Sequence, residues 1–368
     1  MKKKLFYIAE IDLPSSSAYS IQVLKMCDAF SSEGFDVTLF FMAKKKNISY
    51  KKIKNIYNLK NKINFYQILN NNNNSFISRF YFFFKIKIIL DNESDYAIYS
   101  RSIITAFFLL LLNKKIILEL HHNLKGFSFY ISKILFFKKI RKNIFFIFIN
   151  KNLINLFSYS DIKYFILDDA VELDDFKIYK DSKITYKNTC VYCGSLTKGK
   201  GLDLIREISV LIKNIKFHVY GDTRFVKIKS YKKYKNIKFL GYKPYREIPK
   251  ILSKYQVLLM PYASKVYARS KNLEISNYMS PLKLFEYLAS SRIILASKMR
   301  VYSHILKNNY NAILIKNSEP EIWSDFIKKI FLKPKKFSYL RNNAYKTVFN
   351  NTWNLRARKI ITKIEFNT

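Results

Sequence analysis

Short apolar runs alternate with amphipathic stretches along most of this 368-residue chain. Leu5 to Ala9 is a run of the kind that forms a parallel strand buried on both faces. The polar loop Pro14 to Ser17 leads from it into a helical pattern, with Ile21, Leu24, Cys27 and Phe30 near one face and Gly34 as the stop. Asp36 to Phe41 reads as the next strand. Ile63 to Tyr66, Tyr96 to Tyr99, Ile116 to Leu120, Phe145 to Phe148 and Tyr164 to Leu167 follow, with helical stretches between most of them. This β-α-β alternation predicts a doubly wound parallel sheet.

The segment Asp168 to Asn188 is polar and charged, shows little apolar periodicity, and reads as a linker. After it the alternation restarts. Thr189 to Cys193, Lys216 to Val219, Ile237 to Leu240, Val257 to Met260, Ile293 to Ala296 and Ala312 to Ile315 read as strands. Helices fit at Leu202 to Lys213, Glu247 to Ser253, Pro281 to Ala289 and Glu319 to Phe331, with closing helices at Ser338 to Phe349 and Trp353 to Ile364. The expectation is an α/β protein with two Rossmann-like doubly wound domains facing each other across a cleft. One covers residues 1–170 and the other covers 171–346. Residues 347–368 form a C-terminal helix packing back on the first domain. The length suits two domains of ordinary size. Asn70 to Asn74 reads as a flexible loop.

Hydrophobic residues make up 49% of the chain, enough for two cores and unlike a disordered protein. The 66 Lys and Arg against 26 Asp and Glu give a net charge of +40. Such a surface attracts nucleic acid, anionic lipid or phosphorylated ligands. Part of the excess is compositional, since the chain is rich in Lys, Asn, Ile, Phe and Tyr. No nucleic-acid-binding motif is recognisable, which weighs against nucleic acid as a partner. The three cysteines form no disulfide framework, which fits a reducing compartment. Cys190 and Cys193 lie three apart on one strand, face opposite sides and cannot share a metal without a turn.

The apolar start of MKKKLFYIAEIDLP is broken by Glu10 and Asp12, too soon for a signal peptide. No run reaches the roughly 18 apolar residues of a membrane span. A cytoplasmic protein is expected, associated with the inner face of a membrane. Phe76 to Leu90 and Phe127 to Asn150 mix aromatic and aliphatic residues with Lys and Arg, as segments that lie on anionic membranes do.

Candidate chemistry collects at three places. Gly194 to Gly201 (GSLTKGKG) follows a strand and precedes a helix, where doubly wound sheets bind ligands. Its glycines admit a pyrophosphate close to the backbone, and Lys198 and Lys200 add charge. The pattern is neither a dinucleotide fingerprint nor a Walker loop. In MSPLKLFEYLA, Ser280 reads as an N-cap and Pro281 as the first helical residue. Leu282, Phe285, Leu288 and Ala289 face the core. Lys283 and Glu286 share the other face, where the lysine suits a diphosphate and the carboxylate a ribose diol. The long loop before it carries Arg269, Lys271 and Glu274. Third, Glu119-Leu120-His121-His122 ends a strand in the first half and offers a candidate catalytic histidine.

Together these residues resemble the retaining glycosyltransferases of family 4, which have the GT-B fold. The likeness runs through VYCGSLTKGKGLDLI (Val191 to Ile205), FLGYKPYREIPKIL (Phe239 to Leu252), VLLMPY (Val257 to Tyr262), SPLKLFEYLA and IILAS (Ile293 to Ser297). Order and spacing agree over roughly 110 residues. The first half is similar in pattern only, through the PSSSAYSIQ loop, Arg101 after a strand, and Glu119-x-His121.

The resemblance implies a metal-independent transferase that needs no cofactor beyond its nucleotide-sugar co-substrate. It implies Lys200 on the donor phosphates, Glu286 on the ribose, and Ser280, Pro281 and Leu282 at a helix end facing the phosphates with Lys283 assisting. Gly194 and Ser195 complete the donor loop. His121 lies near the transferred sugar, and Ser16, Ser17, Tyr19 and Arg101 border a glycan or lipid-linked acceptor in surface polysaccharide synthesis. Two positions depart from the pattern. Tyr278 stands where many members have Glu, and Ser195 where many have Arg. A nucleotide-sugar epimerase or phosphorylase on the same fold, a catalytically weak partner subunit, and a non-catalytic basic binding protein are the competing readings.

Overall fold

The computed structural model describes residues 2–43, 49–69, 76–124, 129–131, 142–156, 162–268 and 273–367. They form two compact units. The first comprises Met1–Asp168 and Trp353–Thr368, the second Asp169–Thr352. Arg269, Lys271 and the Asn70 to Asn74 tract lie outside the described residues, as does much of Phe127 to Asn150.

The first unit is built on a seven-stranded sheet in the order β3-β2-β1-β4-β5-β6-β7. These are β1 Lys4–Ala9, β2 Asp36–Ala43, β3 Asn64–Leu69, β4 Tyr96–Ser100, β5 Ile116–Leu120, β6 Ile144–Phe148 and β7 Tyr164–Ile166. Every pairing in it is parallel. β1, β4 and β5 are buried along nearly their whole length, which is why they read as continuous apolar runs rather than alternating ones. β6, buried at four of its five positions, takes up part of the Phe127 to Asn150 stretch. That part is sheet core, and its apolar residues are committed to packing rather than to a membrane.

Right-handed crossovers put the helices after β1 and β2 on one face and those flanking β4 on the other. α1 (Ala18–Ser32) starts at Ser17, whose hydroxyl caps the Tyr19 amide, and buries Phe30 against Tyr7 and Tyr99. α2 (Tyr50–Tyr57) packs beside it, and the Tyr57 hydroxyl donates to the Ser15 carbonyl oxygen at 2.6 Å. On the other face α3 (Phe76–Leu90) and α4 (Ile103–Leu111) meet through Phe80, Phe83 and Phe108. No described helix is long and apolar enough to cross a membrane.

The second unit has a six-stranded sheet in the order β10-β9-β8-β11-β12-β13. Its strands are β8 Thr189–Cys193, β9 Lys216–Tyr220, β10 Ile237–Gly241, β11 Val257–Met260, β12 Ile293–Ser297 and β13 Ile313–Ile315, again all parallel. Cys190 belongs to the core on one side of this sheet and Cys193 to the core on the other, as their spacing demands. The first core is roofed by α6 (Leu202–Leu211) and α9 (Pro320–Leu332), with Trp323 and Ile327 fully buried. The second is roofed by α7 (Ile248–Leu252), α8 (Leu282–Ala289) and α10 (Ser338–Val348).

The segment expected to be a linker is partly folded. It contains α5 (Leu173–Lys177), and Val171 and Phe176 are buried in the second unit's core. Its few apolar residues are too widely spaced to register as a period, yet they suffice to anchor it. The chain returns to the first unit through α11 (Trp353–Ile361), which packs on α1.

Candidate active site

Ligands of doubly wound sheets gather at the carboxyl ends of the two strands where the strand order reverses. In the second unit those strands are β8 and β11. β8 runs into the Gly194 to Gly201 loop, and β11 delivers Pro261 and Tyr262. Gly194 has φ +151°, and a Cβ there would lie 2.6 Å from the Lys283 ammonium. The missing side chain lets Lys283 lie across the loop, its Nζ 3.5 Å from the centroid of the Tyr192 ring. At Gly201, φ +93°, a Cβ would fall 1.9 Å from the Pro261 carbonyl oxygen, so loop and strand end meet backbone to backbone.

Lys200 and Lys283 converge on one ring: their ammoniums are 4.8 Å and 5.3 Å from the centroid of Tyr262. Burial lowers Lys200 to about 8. Burial, and then the charge of Lys200, hold Lys283 well below the usual lysine range. Lys283 is only 7% exposed, and its Nζ has no hydrogen-bond partner among the described residues. Glu286, one turn along α8, is also buried, and burial raises it to about 7 despite the nearby Lys283.

Taking a charge out of water costs several kcal/mol, of the order of 3 to 5 when nothing compensates it. The contact with Tyr192 returns about 2 kcal/mol. Desolvation therefore outweighs the contact, and a multivalent anion bridging the two lysines would supply the missing hydrogen bonds and charge.

α8 departs from the expected pattern in two ways. Pro281 is the N-cap, and Ser280 instead accepts a hydrogen bond from the Asp169 amide at 2.9 Å. Lys283 and Glu286 are not on an exposed face, because all eight residues of the helix are buried. Period alone distinguishes one face from another, and the strand ends that cover the polar face here are remote in sequence. Leu282 is buried as expected. Ser195 is exposed, and its carbonyl oxygen accepts from the Tyr192 hydroxyl at 2.5 Å. Tyr278 donates to the Glu274 carbonyl oxygen.

In the first unit the strand order reverses between β1 and β4. Ser16, Ser17 and Tyr19 follow β1, and Arg101 follows β4 directly. The Arg101 guanidinium carbon lies 4.3 Å from the centroid of the Tyr19 ring, and Nη1 donates to Gln22 Oε1. Gln22 Nε2 in turn donates to Glu119 Oε1 at 3.0 Å.

Glu119 is the hub that inspection of the sequence passed over in favour of His121. It is 1% exposed and lies in β5. It accepts from the Tyr99 hydroxyl, from Arg356 Nη2 of α11 at 2.7 Å, and from Gln22, and it pairs with His121 Nε2 at 2.5 Å. Burial alone would raise this carboxyl, but Arg356, His121 and Arg101 outweigh it and hold it well below the usual range. Burial and then Arg101 push His121 down to about 3, so the imidazole is neutral at physiological pH. Facing an ionised carboxylate, Nε2 carries the proton, which leaves Nδ1 as the basic nitrogen. Arg356 also donates from Nε to the Asp168 carbonyl oxygen at 2.9 Å, tying the returning helix to the last residue before the chain leaves this unit.

Among the described residues no group of His, Cys, Asp and Glu could hold a metal ion. The two Rossmann-like units, all parallel and each with its polar cluster at the sheet reversal, are of the GT-B class of glycosyltransferase folds. Residues 174–347, all of them in the second unit, match the family described as glycosyl transferases group 1.

Three solved structures share the fold over nearly their whole length. HepE of Anabaena, in complex with UDP and glucose, has a TM-score of 0.70 at 11% identity and covers 98% of both chains. A glycosyltransferase of Rickettsia africae has a TM-score of 0.73 at 14% identity, over 98% of this chain and 97% of its own. Sucrose-phosphate synthase of Thermosynechococcus elongatus has 0.74 at 12%, over 98% of both. No curated protein matches the sequence.

Proposed function

We propose that this protein is a glycosyltransferase that moves a sugar from a nucleoside diphosphate donor to a glycan or lipid-linked acceptor. The observation that carries the reading is the buried Lys283 ammonium, unpartnered among the described residues and sharing the Tyr262 ring with Lys200 beside the Gly194 loop. The family match over residues 174–347 and the UDP and glucose complex of a protein with the same fold support it.

In this reading the diphosphate lies between Lys200 and Lys283, against the loop at Gly194 and Ser195 and the start of α8 at Ser280, Pro281 and Leu282. Glu286 accepts hydrogen bonds from the ribose diol. When the bond from the anomeric carbon to the diphosphate breaks, negative charge grows on the departing oxygen. The two ammoniums are preorganised to stabilise that charge, with no metal needed for the purpose. His121 lies near the transferred sugar, oriented by Glu119, and Ser16, Ser17, Tyr19 and Arg101 border the acceptor. Retention of anomeric configuration and a role in surface polysaccharide synthesis follow from the resemblance to family 4.

A thermal-shift screen with uridine, guanosine and adenosine diphosphates tests the reading. At least one raises the melting temperature, and the rise shrinks as pH increases through about 8, where unliganded Lys200 loses its proton. The sign follows from linkage: bound diphosphate favours charged lysines, so binding takes up protons and weakens as protons become scarce. A protein indifferent to all three nucleotides, or one stabilised more strongly at pH 9 than at pH 7, contradicts it.

A further inference from the structure

α3 (Phe76–Leu90) presents a surface that its fold does not use. Ser78, Phe82, Phe83, Ile86 and Leu90 form its buried side. Along the opposite side Ile77, Tyr81, Phe84 and Ile88 are each at least 44% exposed, and Ile77 is 75% exposed. These positions recur at helical spacing, so they make one continuous stripe rather than scattered exposures. The neighbouring helix α4, which meets α3 through Phe108, leaves Leu111 and the following Leu112 exposed as well. Contiguous exposed apolar surface of this kind marks an interaction site.

The charge around the stripe selects the occupant. α3 contains Lys85, together with Arg79, which pairs with Glu10, and Lys87, which pairs with Asp91, and it has no acidic residue of its own. The first unit carries 30 Lys and Arg against 12 Asp and Glu, a net charge of +18. A second copy of the chain would bring the same excess and be repelled. A nucleic acid would satisfy the charge, but Ile77 and Ile88 have no ring on which a base could stack. An anionic bilayer meets both demands, with acyl chains for the aromatic and aliphatic side chains and headgroups for the cations.

We infer that α3 docks this protein on anionic membrane surfaces by inserting the Ile77–Tyr81–Phe84 stripe among the lipids. The inference is independent of the sugar chemistry, because lipid binding is read without donor or acceptor.

Flotation of the full chain with vesicles of phosphatidylcholine alone, and of phosphatidylcholine with phosphatidylglycerol, tests it at low and high salt. The protein floats with the anionic vesicles, less so at high salt, and stays behind with the neutral ones. The triple substitution Ile77→Ser, Tyr81→Ser, Phe84→Ser lowers the partition coefficient by about tenfold or more. Its melting temperature and nucleotide-induced shift match the wild type, which separates lost docking from lost folding. Equal flotation with both vesicle types, or triple-variant binding within twofold of wild type, overturns the inference. So does a wild-type dimer in sedimentation that the triple variant abolishes, since the stripe then serves a second copy.

Discussion

Replacing Lys283 by Met lowers sugar transfer, or nucleoside diphosphate affinity, by about 100- to 1000-fold while leaving the unliganded protein at least as stable as the wild type. A buried lysine that only served the core would behave in the opposite way, since its loss would destabilise the fold and leave binding to other groups. Lys283 has a ring beneath its ammonium and another lysine as its neighbour, with no hydrogen bond from a described residue. Its charged form is disfavoured in the unliganded protein, so removing it relieves a cost. Met keeps the length of the apolar stem and fills the space over Tyr192. Melting temperature and product formation, measured on the same preparations, decide the matter. A variant that melts markedly lower, or that turns over donor within threefold of wild type, makes Lys283 a packing residue.

Glu286 belongs to the same balance. Its carboxyl is raised to about 7. The folded protein thus holds a proton between the unfolded value near 4.5 and about 7 that the unfolded chain lacks. Stability of the unliganded protein therefore falls as pH rises through that window. A site that keeps a buried lysine without a hydrogen bond to any described residue is less stable empty than full, which is how strain is commonly distributed at functional sites.

The second large effect concerns Arg356, which lies far from the donor loop in sequence and is 4% exposed. Arg356→Met destabilises the protein by about 3–5 kcal/mol near neutral pH, because it leaves the Glu119 carboxylate buried without its main counter-charge. The deficit shrinks as pH falls through the carboxylate range. In the wild type the depressed Glu119 value contributes stability that is present above its unfolded pKa and lost on acidification. Adding Glu119→Gln to Arg356→Met recovers part of the loss, since an amide needs no counter-charge there. Urea unfolding of the two single variants and the double variant reads all three. A single variant within about 1 kcal/mol of wild type would mean that Tyr99, Gln22 and His121 suffice to hold the charge.

The sequence carried the alternation of strands and helices well, because β1, β4, β5, β8, β11 and β12 are parallel strands buried on both faces and therefore continuous apolar runs. Strand order was not readable, since periodicity says nothing about which strands pair. With it went the reversals that place the Gly194 loop beside Lys283 and Tyr19 beside Arg101. Lys200, Lys283 and Glu286 were recognisable as candidates from their motifs, but the burial of Lys283 and Glu286 was not. Their surroundings come from Tyr192 and Tyr262, at the ends of two other elements. The Glu119 hub was the clearest omission. Its partners Gln22, Tyr99 and Arg356 are scattered along the chain, and only the fold assembles them. One signal was available: Glu119 interrupts the otherwise apolar strand Ile116–Leu120, and a lone carboxylate in such a strand needs buried donors.

A crystal structure of the full chain with a nucleoside diphosphate bound is the most direct test. The diphosphate oxygens should lie within hydrogen-bonding distance of both Lys200 Nζ and Lys283 Nζ, with the ribose hydroxyls on Glu286. A nucleotide bound elsewhere, or one whose phosphates touch neither lysine, would show that this pair of lysines does something other than hold a sugar donor.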